Sequence, residues 1–139
     1  MNPPFIILEH PSDLGIEAYG RSMEEMFMNA SLGLVSVITD VFGVYQNVER
    51  KIMVQGLDRE NLLIRWLNEL LYLFHVEKLI IRDVRFTKIA DRSLEAVVTG
   101  ELYNPARHEL KLDIKAITYH QLKIEEIDGT WTGRVFVDV

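Results

Sequence analysis

The chain has 139 residues, with 15 basic and 21 acidic side chains, a formal net charge of −6 and a pI near 5.2. That length suits one domain over residues 1–139, and 48% hydrophobic with 26% charged content suits a folded globular chain. The absence of cysteine excludes disulfide frameworks, thiolate zinc sites, iron–sulfur clusters and cysteine nucleophiles, and the acidic balance argues against gripping nucleic acid through phosphates alone.

Residues Met1 to Glu9 lack a basic stretch and reach an acid early, so no signal peptide is expected. No segment holds the ~18 uncharged apolar residues of a membrane span, and the expected location is the cytoplasm. Asp13 then falls in a turn, between a first strand and Gly15-Ile16-Glu17-Ala18-Tyr19. An isolated loop aspartate of this kind is usually an Asx turn or cap.

Ser22-Met23-Glu24-Glu25 reads as a capping box. Met26, Phe27, Ala30, Leu34, Val37 and Ile38 recur at helical steps, predicting a helix from about Met23 to Ile38. Gly33 inside it costs ~1 kcal/mol against alanine unless something packs closely there. Asp58 caps a second helix whose stripe is Leu62, Leu63, Trp66, Leu67, Leu70, Leu71 and Phe74, ending near His75. Both stripes should be buried.

The two helices align with each other. Gly20-Arg21-Ser22-Met23-Glu24 matches Gly56-Leu57-Asp58-Arg59-Glu60 at an offset of 36, and the apolar positions follow. Two amphipathic helices can align by chance, but the shared glycine, cap and glutamate favour an internal strand–helix duplication.

Period-two alternation follows over Val48 to Gln55, Leu79 to Lys88, Ser93 to Leu102 and Leu110 to Lys115. Asp128-Gly129 is a type I′ hairpin signal, and Arg134 to Val139 returns as the last strand. With a two-residue turn there, Asp138 should pair with Tyr119, and Val137 with His120. These elements predict an α+β fold, with two amphipathic helices on mostly antiparallel sheet.

Phosphate loops, nucleophile elbows, zinc-protease helices and EF-hand loops are absent from the sequence. The histidines His10, His75, His108 and His120 are scattered, with His75 expected at a helix end and His108 in a loop. Asp138 ends the apolar run Val135-Phe136-Val137, where a buried carboxylate needs a cation, donors or a metal unless the terminus is frayed and solvated. A carboxylate-rich, cysteine-free cluster with the terminal carboxylate of Val139 nearby would suit a hard cation such as calcium.

Four stretches resemble the archease family. They are Glu9-His10-Pro11-Ser12-Asp13-Leu14-Gly15-Ile16-Glu17-Ala18-Tyr19-Gly20, Trp66 to Phe74, Ile114-Lys115-Ala116-Ile117-Thr118-Tyr119-His120, and the ending Trp131 to Val139. The chain departs in having Pro11-Ser12 where the family often carries a Thr-Ala pair, with the following aspartate retained. The resemblance implies a non-enzymatic cytoplasmic protein of tRNA processing and splicing, which activates the RtcB-type RNA ligase. That ligase joins RNA halves with GTP and manganese and holds guanylate on its own histidine; its activator promotes guanylylation and repeated turnover. The resemblance further implies calcium bound through Asp13, Asp138 and Val139, with Lys115 as a second functional contact or merely a solvated strand lysine. RNA would be met only through the ligase, and no membrane is involved. Two other classes stay open: a small metal-dependent hydrolase using Asp13 and Asp138 with His10 or His120, and a general chaperone-like modulator, which should expose a large apolar patch.

Overall fold

The computed structural model describes residues 3–9 and 13–139. His10 and the Pro11-Ser12 pair therefore lie outside the described residues. Strands β1 (Phe5–Glu9) and β2 (Leu14–Gly20) lead into α1 (Met23–Ile38), a 3-10 turn (Val41–Gly43) and β3 (Val48–Gln55). Helix α2 (Arg59–Glu77) is followed by β4 (Leu79–Ile89), β5 (Ser93–Leu102), β6 (Ala116–Ile127) and β7 (Thr130–Asp138). The strands form two antiparallel sheets, ordered β1-β2-β7-β6 and β3-β5-β4. This is the α+β arrangement that the patterning predicts. Among the described residues no helix is long and apolar enough to cross a membrane.

Each helix meets both sheets. Helix α1 lies against β1, β2 and β7 of one and β4 of the other, while α2 lies against β6 of the first and β3 and β4 of the second. Their stripes are therefore buried as the spacing requires: Phe27, Ala30, Leu34, Leu63, Trp66, Leu67 and Leu70 are inside, with Phe74 half-buried. At the centre the Trp66 and Phe86 rings are 5.1 Å apart. The indole N–H of Trp66 donates to the Ser31 hydroxyl at 2.7 Å, and that hydroxyl donates to the Phe27 carbonyl at 2.8 Å. A buried tryptophan N–H needs such an acceptor, and Ser31 in the apolar face of α1 supplies it.

The two helix starts repeat each other in detail. The Ser22 hydroxyl accepts the Glu25 N–H, and the Glu25 carboxylate reaches back to the Arg21 N–H. Thirty-six residues on, Asp58 accepts the Asn61 N–H, and the Asn61 side chain reaches back to the Leu57 N–H. The preceding glycines match as well. A Cβ at Gly20 would lie 2.5 Å from the Met26 nitrogen, and one at Gly56 2.8 Å from the Leu62 nitrogen. The same tight approach of strand end to first helical turn occurs twice, as a duplicated unit would give. Gly33 has its own reason: a Cβ there would come within 2.7 Å of Ile16, so its absence lets α1 lie close on β2.

Three expectations are corrected. Helix α2 runs two residues past His75, to Glu77, because Lys78 takes the left-handed conformation (φ 60) and its N–H closes onto the Leu73 and Phe74 carbonyls. Leu110 to Lys115 is not a strand. Among the described residues, one bridge between Thr39 and Leu110 and the bond from the Lys115 N–H to the Asp138 carbonyl of β7 are its strand-like contacts. The end of α1 captures it instead: the Lys111 N–H donates to the Ile38 carbonyl, and the Thr39 hydroxyl donates to the Glu109 carbonyl. Ile114 is buried, whereas Leu110 and Leu112 are each 42% exposed.

The third correction is register. Asp128 (φ 53) and Gly129 (φ 79) form the expected primed turn, and Ile127 pairs with Thr130. The pairing then shifts between Thr118 and Lys123, with Gln121 left-handed (φ 51). Past this bulge Asp138 pairs with Ala116 instead of Tyr119, and Val137 with Ile117 instead of His120. Tyr119 points outward and accepts a hydrogen bond from the Asn61 side chain at the start of α2.

Candidate functional site at the strand ends

Strand β2 pairs with β7 so that Leu14 faces Val137. Asp13 and Asp138 are the next residues on either side of this last pair. On its other side Asp138 pairs with Ala116, and its carbonyl accepts the Lys115 N–H at 2.8 Å. The chain thus brings Asp13, Asp138, Val139 and Lys115 to one end of the sheet, from three neighbouring strands.

Val135, Phe136 and Val137 are fully inside, while Asp138 and Val139 are exposed and Asp13 is half-buried. The carboxylate of Asp138 is therefore solvated, and the burial penalty expected from its apolar neighbours does not arise. The carboxylates of Asp13 and Asp138 and the Val139 carbonyl are oxygen donors of the kind that a hard cation takes. Calcium takes six to eight oxygens, so water or a partner would complete the shell. Among the described residues no group of three or more histidine and acidic side chains gathers to hold a metal. His120 packs edge-on against Phe136 with ring centres 5.9 Å apart, and His75 lies 3.8 Å from Asp113.

Two polar clusters escaped sequence reasoning. Arg134 on β7 reaches Glu17 on β2 at 2.6–2.7 Å, and the Tyr19 hydroxyl donates to the same carboxylate at 2.5 Å. Burial pushes Glu17 up, but the bonds from Tyr19 and Arg134 outweigh it and leave the carboxyl below its ordinary range. Burial and the neighbouring carboxylate push the Tyr19 phenol up to about 12.

The second cluster surrounds Glu101. Its carboxylate accepts the Tyr45 N–H and the Arg107 guanidinium, and it meets His108 Nε2 at 3.0 Å. Arg107 also donates to the Gly43 carbonyl and stacks over the Tyr45 ring at 4.0 Å. His108 Nδ1 accepts the Asn104 N–H at 2.9 Å, so this loop histidine is buried and structural. The Tyr45 N–H bond, then Arg107 and His108, overcome desolvation and hold Glu101 down at about 2. Glu101, Arg107 and His108 are close in sequence; Tyr45 comes from 56 residues away, and no local pattern announces it.

Residues 5–139 match the model of the Archease protein family. The chain is 39% identical to the archease of Methanosarcina mazei over 136 residues, covering 95% of this chain and 93% of that one. It is 40% identical to the Pyrococcus furiosus archease, covering 94% and 95%. In fold it is similar to the solution structure of Methanobacterium thermoautotrophicum protein 1598, with a TM-score of 0.82, 33% identity, and 98% and 99% of the two chains covered. A Thermotoga maritima crystal structure, described as an archease and possible chaperone, shares the fold at a TM-score of 0.68 and 23% identity, with 100% and 98% covered. A family match along nearly the whole chain, with relatives near 40% identity at full coverage, makes this protein a member of the archease family.

Proposed function

We propose that this chain is a non-enzymatic protein cofactor of an RtcB-type RNA ligase in tRNA splicing, promoting the ligase's guanylylation and repeated turnover. Family membership along nearly the whole chain is the observation that carries this reading. The neighbouring ends of β2 and β7 support a role for Asp13 and Asp138, because the exposed Asp138 brings a carboxylate to a sheet end that a partner can reach. In this reading Asp13, Asp138 and the main-chain oxygens of Val139 hold calcium, and Lys115 meets the partner or its nucleotide beside them. A cation at this end would supply positive charge where nucleotidyl transfer builds negative charge on phosphate oxygens. Asp13 and Asp138 would orient it, and Lys115 would add a second charge. The net acidity of the chain favours a protein with a basic, RNA-binding surface as partner, and leaves RNA contact to the ligase.

The test follows labelled guanylate onto purified ligase with and without this protein. Stimulation by the parent, and its loss in Asp13→Ala and Asp138→Ala proteins that melt like the parent, is the expected result. Equal stimulation by the folded variants overturns the site. Calorimetric titration with calcium separates the metal from the partner: the parent should bind, and Asp138→Ala should bind more weakly. A chaperone role, which the description of the Thermotoga relative raises, would instead appear as protection of an unrelated denatured enzyme from aggregation.

A further inference from the structure

The end of α2 and the unpaired segment from Leu110 to Lys115 enclose an open groove of about 770 Å³, lined by Phe74, His75, Lys78 and Tyr103 on one side. Lys111, Leu112 and Lys115 line the other. Three of the chain's six lysines stand here. Among the described residues none of the three is in an ion pair, whereas Lys88 and Lys123 are. The one acid of the lining, Asp113, faces His75. In a chain of net charge −6 this is a local excess of positive charge. At physiological salt, screening over ~8 Å makes the charges lining the groove, three lysines against Asp113, the ones that a bound segment meets most directly.

The groove is also apolar and has a free edge. Leu110 and Leu112 expose 42% of their surface into solvent. Among the described residues, the main-chain N–H groups of Leu112, Asp113 and Ile114 make no backbone hydrogen bond. The alternating sequence reads as a strand, and the fold holds it at its two ends, through Lys111 on Ile38 and Lys115 on Asp138.

We propose that this groove docks an extended peptide segment of a protein partner, one that alternates acidic and aliphatic residues and pairs with the Leu112–Ile114 main chain. Its acidic side chains meet Lys78 and Lys111, and its aliphatic ones cover Leu110 and Leu112. This is strand addition to a free edge, with backbone bonds giving affinity and alternate side chains giving selectivity. A single-stranded RNA suits the groove less well. It would present a denser negative charge to an acidic protein, and it needs successive aromatic platforms, whereas the lining offers leucines with half-buried Phe74 and Tyr103. The inference shares Lys115 with the proposed function, but its peptide contacts use neither Asp13 nor Asp138, and its test reads Lys78 and Leu112.

The probe is a capped eight-residue peptide alternating glutamate and leucine, fluorescently labelled and titrated by anisotropy with the full chain. Saturable binding that weakens with salt is expected. Lys78→Glu and Leu112→Ser should each weaken it about tenfold or more in proteins with parental melting temperatures, and Lys51→Glu, on β3, should leave it unchanged. A glutamate–serine peptide should bind at least about tenfold less tightly. The proposal is overturned if the parent shows no saturable binding, if Lys51→Glu weakens binding as much as Lys78→Glu, or if a ten-nucleotide oligouridylate binds more tightly than the peptide.

Discussion

The carboxylates of Glu101 and Asp138 make opposite use of the same chemistry. Glu101 is taken up by the protein itself. The Tyr45 N–H, Arg107 and His108 surround it, and through Arg107 it ties the 3-10 turn to the loop after β5. Asp138 ends its strand in solvent, beside a half-buried Asp13 and an exposed Lys115. A carboxylate satisfied from within serves the fold; one left at a strand end is available to something outside. Exposure, and not acidity, separates Glu101 from Asp138.

The sharpest way to break that comparison is to exchange the effects. Asp13→Ala is expected to abolish stimulation of ligase guanylylation while leaving the thermal melt unchanged. Glu101→Ala is expected to lower the melting temperature and, once folded protein is matched in amount, to stimulate normally. If Glu101→Ala melts like the parent, the cluster does not hold the fold; if Asp13→Ala melts early, that aspartate is a turn residue.

Next in size is a purely structural loss, which sets the scale for Glu101. Trp66 is fully buried between both sheets and donates to Ser31. Trp66→Ala should cost roughly 3–5 kcal/mol in urea unfolding through the cavity it leaves. A cost under ~1 kcal/mol would mean that the helix face is not packed as described.

The pH dependence sharpens the comparison further. Glu101 is held at about 2, below its ordinary 4.5, so in the folded protein it stays ionised where the unfolded chain already takes up a proton. Its contribution to stability is complete above pH 4.5 and is lost as pH falls towards 2. Melting curves across that window should show the parent losing stability more steeply than Glu101→Gln. Parallel curves would contradict the cluster.

The smallest effects concern the repeated helix caps. Ser22→Ala and Asp58→Ala should each cost about 1 kcal/mol by calorimetry, since each removes one acceptor from a first-turn N–H. Similar costs at both ends would fit the duplicated geometry, and a loss at only one would show that the likeness is not energetic.

Much of the fold was legible because it is local. Ser22 and Asp58 mark helix starts by a hydrogen bond three residues long, and the stripes of α1 and α2 repeat within a turn. Asp128-Gly129 forces its own turn through positive φ. The resemblance to the archease family was legible from four short stretches, and it named Asp13, Asp138, Val139 and Lys115. Counting from the hairpin turn, by contrast, put Asp138 three residues out of place, because a bulge centred on Gln121 lies in between.

The sequence by itself determined where helices begin, which faces they bury, and which residues form the last turn, since neighbours within a few positions carry those preferences. Only the tertiary structure decided three other things. The end of α1 takes Lys111 and Glu109 away from any sheet, so an alternating segment becomes one wall of a groove. Glu101 finds Tyr45 across 56 residues and becomes structural. The bulge in β6 sets Asp138 beside Ala116 and its carbonyl on the Lys115 N–H. In each case the competing partners are far apart in the chain, and local preference alone cannot choose between them; packing does.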